Sequence, residues 1–105
     1  MLIKAGVDIS RLRPEIRKRL NEIARRVWSI EEKELIITST YEGNHSEGSL
    51  HYANLAVDIR REKLGDLVRN ELRDKLGVNY DVVLASDHIH IEYDPKKTLT
   101  LINKN

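Results

Sequence analysis

The sequence predicts an α+β domain, with two helices packed on a mostly antiparallel sheet. Three observations point there: two stretches of helical period, several short apolar runs of strand length, and the order in which they come. The chain has 105 residues, which fits one domain over residues 1–105.

Leu12, Ile16, Leu20, Ile23, Ala24 and Val27 recur at spacings of three and four. They predict a helix from about Arg13 to Trp28 with one apolar stripe. Pro14 suits the first turn, where its missing N–H costs nothing, and Ser10 is a candidate cap. Trp28, at the helix end, is expected in the core. Leu35, Ile36 and Ile37 read as a short strand that runs into the polar STYEGNHSEGS, where Gly43 and Gly48 predict a loop.

Leu55 to Ile59 reads as a second strand. Alternation puts Ala56 and Asp58 on one face, with Leu55, Val57 and Ile59 on the other. Leu64, Leu67, Val68, Leu72 and Leu76 mark a second helix, roughly Arg61 to Lys75, with Gly77 where a C-cap belongs. Tyr80 to Leu84 and Ile89 to Tyr93 read as two strands joined by Ala85, Ser86 and Asp87, the latter ended by Pro95. Thr98 to Ile102 is a candidate edge strand. The pattern leaves strand order open.

Apolar residues make up 40% of the chain and charged residues 33%, and the formal net charge is +1. That near-balance gives no argument for nucleic acid or for an anionic membrane surface, and neither is expected as a partner. With no cysteine, any metal site must use nitrogen and oxygen ligands. No run approaches the roughly 18 apolar residues of a membrane span. MLIKAGVDIS is too soon charged for a signal peptide, so synthesis in the cytoplasm is the expectation. The sequence carries no signal of oligomeric state.

The chemistry-bearing residues gather in two segments, HSEGSLHYANLAVDIR and DHIHIEY. His88 and His90 stand two apart, so a strand points both to one face, while Ile89 and Ile91 face the other way. The plainer account is a half-exposed strand whose solvent face carries histidine. Asp58, inside LAVDI, is rarely buried without a partner. A salt bridge to Arg60, Arg61 or Lys63 would be one, and a shared metal site another.

SLHYANLAVD, residues 49–58, resembles the SxHxxGxAxD signature of the zinc D-alanyl-D-alanine carboxypeptidase and L-alanyl-D-glutamate endopeptidase group, whose fold is shared with the signalling domain of Hedgehog proteins. Ser49, His51, Ala56 and Asp58 match it. Asn54 stands at the glycine position, and Asn is the non-glycine residue that best tolerates a positive φ. The family's second motif sets the last ligand three residues after an acidic base, which here looks like Asp87, His88 and His90. The arrangement GVDISRLRPE…ITS…SLHY…AVDIR…DHIHIEYDP also looks like small phage or prophage members of the group.

The resemblance implies one zinc ion held by His51, Asp58 and His90, with Asp87 as general base and His88 as donor to a developing oxyanion. It implies hydrolysis of a peptide bond in a peptidoglycan stem or cross-link, DD or LD unresolved, and release to the cell wall during phage lysis. Two imidazoles and a carboxylate are a usual catalytic zinc set, with the fourth position left to water. As base, Asp87 would need a pKa raised above its ordinary value near 4 by a partly desolvated site. The open loop 42–50 would wall the cleft. His45, Ser49 and Tyr52 are candidate substrate or supporting residues. So is Glu42, which stands near the place where the cell-wall peptidases commonly carry an arginine. A carboxylate cannot do an arginine's work on an anion. The alternative is therefore a non-catalytic zinc-binding module of the same fold, acting as a phage structural or interaction protein.

Overall fold

Strand alternation and helix stripes bring two sets of aliphatic residues together in one core. The computed structural model describes residues 1–41 and 53–95. In chain order its elements are β1 (Leu2–Ile3), α1 (Pro14–Arg17), α2 (Leu20–Glu31), β2 (Ile36–Ser39), β3 (Ala56–Arg60), α3 (Gly65–Leu76), β4 (Tyr80–Leu84) and β5 (His88–Tyr93). The five strands form one sheet in the order β1-β2-β3-β5-β4. Among the described strands β1 and β2 run parallel, and β2–β3, β3–β5 and β4–β5 are antiparallel. This is an α+β domain with two long helices packed against a mostly antiparallel sheet.

One face of the sheet carries Ile37, Val57, Ile59, Val82, Ile89 and Ile91, and these join Ile23 and Val27 of α2 and Val68, Leu72 and Leu76 of α3 in one core. Burying an aliphatic side chain of this size is worth roughly 1.5–3 kcal/mol. Among the described residues, both long helices pack on this face, and the polar side chains of β3 and β5 lie on the opposite one.

The expected first helix is interrupted. The Arg19 N–H bonds the carbonyl of Ile16, three residues back, at 3.0 Å, while the Ile23 N–H returns to Arg19 at 2.9 Å. The tighter turn separates α1 from α2 but keeps the stripe in phase, and Leu12, Ile16, Leu20, Ile23 and Val27 are all buried. Arg19 reaches across at this joint to the Lys75 carbonyl at 3.1 Å and lies 5.1 Å from the centre of the Tyr80 ring. Ser10 does not cap the helix; its N–H instead bonds the Asp8 carboxylate at 2.8 Å. Trp28, expected in the core, is 54% exposed, because it sits one residue past Val27 and off the stripe.

The second helix starts four residues later than predicted. The Leu64 N–H is bound by both oxygens of the Glu31 carboxylate, at 3.0 and 2.9 Å, which anchors the start of α3 to the end of α2. A Cβ at Gly65 would lie 2.7 Å from Arg61 Cγ, so any larger residue there has to displace the Arg61 side chain. The helix ends at Leu76 with Gly77 at φ 90°, as the C-cap reading requires. Strand β1 was not foreseen: the Leu2 and Lys4 N–H groups bond Leu35 and Ile37 at 2.7 and 2.9 Å. The candidate edge strand Thr98 to Ile102 lies outside the described residues.

Candidate metal centre

Asp58 stands directly opposite His90 in the β3–β5 ladder, and Arg60 stands opposite His88. Because side chains alternate, Asp58, Arg60, His88, His90 and Glu92 share the face away from the helices. Their neighbours Val57, Ile59, Ile89 and Ile91 are fully buried on the other side. Two-residue alternation thus fixes both a core and a polar row.

The row is a chain of alternating acids and imidazoles. The Asp87 carboxylate meets His88 Nδ1 at 2.7 Å. His88 Nε2 lies 3.9 Å from Asp58 Oδ2. Asp58 Oδ1 is 3.0 Å from His90 Nδ1, and His90 Nε2 is 2.6 Å from Glu92 Oε1. Asp58 is buried, with 8% of its surface exposed. Its imidazole neighbours, rather than Arg60, Arg61 or Lys63, are the partners the strand offers it. The hydrogen bond from Asp58 pushes the His90 pKa up, with Glu92 adding to it against the opposing cost of burial.

Asp87 differs from expectation. Its side chain is 86% exposed, and the hydrogen bond and charge of His88 hold its carboxyl below the ordinary value. The expected upward shift needed desolvation, and the tip of the β4–β5 turn does not supply it. The turn itself is tied down by Arg61, whose backbone N–H bonds the Asp87 carbonyl at 3.3 Å and whose guanidinium bonds the Ala85 carbonyl at 2.8 Å. Arg61 therefore sets where Asp87 and His88 stand.

The donor set fits zinc as far as it is described. Zinc bonds of about 2.0–2.2 Å at a tetrahedral centre put ligand atoms about 3.3–3.5 Å apart, so the 3.0 Å between Asp58 and His90 needs to open by only a few tenths of an ångström. The Glu92 carboxylate on the far nitrogen of His90 is the partner that metal-binding histidines usually have. His51, Glu42, His45, Ser49 and Tyr52 lie outside the described residues. Among the described residues, Asp58, His88 and His90 do not bring their ligand atoms within 4.8 Å of one another, whereas Asp81, Glu92 and Asp94 do. His88 thus stands beside the Asp58–His90 pair rather than completing it, and an acidic group flanks Glu92.

A cleft of about 380 Å³ opens on this face, lined by Lys4, Thr38, Asp58, Arg60, Asp87 and His88. Neither Lys4 nor Arg60 is in an ion pair with another described residue. Asn54, just before β3, has φ 62°, the conformation glycine would favour there. Sequence reasoning missed Lys4, Arg60 and Glu92 as parts of the site. Glu92 had a visible signal, being the third outward position in HIHIEY. No protein-family model matches the chain, and no curated protein matches it either.

Proposed function

We propose that this chain is a zinc-dependent peptidase of the Hedgehog/DD-peptidase fold that hydrolyses a peptide bond in peptidoglycan stem or cross-link peptides. The observation that carries the reading is the 3.0 Å approach of Asp58 Oδ1 to His90 Nδ1, on the sheet face opposite α2 and α3. The match of SLHYANLAVD and DHIHIEY to the two family motifs supports it, as does the positive φ of Asn54 at the motif's glycine position.

In this reading Asp58 and His90 hold the ion together with His51. Bound zinc supplies Lewis-acid polarisation of the scissile carbonyl and lowers the pKa of water. Asp87 takes a proton from the attacking water and passes it to the leaving amine. His88, held at Nδ1 by Asp87, turns Nε2 toward the developing oxyanion. Arg60 and Lys4 bring positive charge to the cleft in place of the arginine that Glu42 does not provide, and they hold a substrate carboxylate.

A second reading is favoured by Asp87. Its exposure and lowered pKa make it a weak base, which suits a zinc-binding module that does not turn over. Zinc-loaded protein incubated with purified peptidoglycan separates the two. The peptidase releases new amino termini and stops when the metal is chelated. If zinc-replete protein releases no amine from walls of several cross-link types, the non-catalytic module is the function.

A further inference from the structure

We propose that Glu92 is a positioning residue of this centre: with zinc bound, its carboxylate accepts from His90 Nε2–H and keeps the Nδ1 lone pair turned toward the ion beside Asp58. The assignment rests on the zinc reading above and deepens it.

A neutral imidazole carries one N–H, and the nitrogen that binds a metal must be the other one. Asp58 by itself favours the wrong arrangement, because a carboxylate 3.0 Å from Nδ1 attracts the proton to the nitrogen that the ion needs. Glu92 offers a closer acceptor at the far side of the ring, 2.6 Å from Nε2. With the ion in place the proton resides on Nε2, and the Nδ1 lone pair is left for the metal on the Asp58 side.

The backbone makes Glu92 suited to this. Strand β5 places it two residues after His90, so both side chains leave the same face. Its cross-strand partners are Ala56 on β3 and Asp81 on β4. Alanine leaves space beside the glutamate chain, and Glu92 is only 21% exposed at the side chain. The carboxylates of Asp81 and Asp94 lie within 4.8 Å of it, and the His90 ring nitrogen at 2.6 Å is the donor it meets on the other side.

The test uses the whole chain with zinc as the probe. Chelator competition gives the zinc affinity of the parent, Glu92→Ala and Glu92→Gln, and nitrogen-15 NMR of the zinc-loaded proteins reports which His90 nitrogen carries the proton. Glu92→Ala should bind zinc about 10- to 100-fold more weakly. Glu92→Gln, whose amide oxygen can still accept from Nε2, should lose less, and it remains available should the alanine variant not fold. The parent should show Nε2–H with Nδ1 on the metal. Parent-like affinity in both variants, or a parent with Nε2 on the metal, overturns the role of Glu92 alone. A parent that binds no zinc sinks the zinc reading and this assignment with it.

Discussion

Asp58 and His90 face each other across strands β3 and β5, with Oδ1 of one 3.0 Å from Nδ1 of the other. The pair is held from behind by Val57, Ile59, Ile89 and Ile91, all buried, so neither strand can slide without moving the core. A rigid sheet therefore sets the distance between the two groups.

The pair gives the chelator-treated protein a definite pH dependence. His90 has its pKa raised above 6.5 by Asp58 and Glu92. A raised folded-state pKa means that the folded form binds the proton more tightly than the unfolded form. The stabilisation is fully present below the unfolded value near 6.5 and is lost as pH rises through the folded value. Thermal melts in chelator should show melting temperature falling as pH rises from near 6.5, and His90→Gln should flatten that slope. An equal slope in the variant would show that another group is responsible.

Asn54 should tolerate glycine and reject a branched residue. Its φ of 62° is left-handed, its carbonyl accepts from the Arg13 N–H at 3.0 Å, and its buried Oδ1 has no hydrogen-bond partner among the described residues. Asn54→Gly should stay within about 0.5 kcal/mol of the parent, whereas Asn54→Val should cost about 1–2 kcal/mol. Urea titration at fixed pH compares them. A valine variant as stable as the parent would mean that the turn relaxes out of this conformation.

Much of the site face was legible in the sequence because strand alternation is local. LAVDI and HIHIEY each state which residues go inward, and the pairing of Asp58 with His90 follows once the two strands are neighbours. That the strands are neighbours was not legible, nor was β1, since two residues carry no period and the pairing with β2 is remote in sequence. Arg60 and Lys4 reach the cleft only through that strand order. Trp28, expected in the core from its place at the helix end, is exposed because it falls one residue past Val27 and off the stripe. The environment of Asp87 was misjudged because exposure at the tip of a turn depends on what surrounds it in space.

Catalysis, under the peptidase reading, should depend on Asp87 without the fold depending on it. Its exposed side chain makes no contact with the core, so Asp87→Ala should keep zinc content and melting temperature while losing about 100- to 10,000-fold in turnover of a stem peptide. Turnover equal to the parent at confirmed zinc content would reject Asp87 as the base and leave the metal assignment untouched.

The most direct measurement is zinc stoichiometry and affinity, by elemental analysis and chelator competition, on protein purified without an affinity-tag metal. The account predicts one zinc per chain in the parent, and loss of tight binding in His51→Ala, Asp58→Ala and His90→Ala, with Asp87→Ala retaining the ion. Parent protein without zinc, or His90→Ala binding as tightly as the parent, would contradict it.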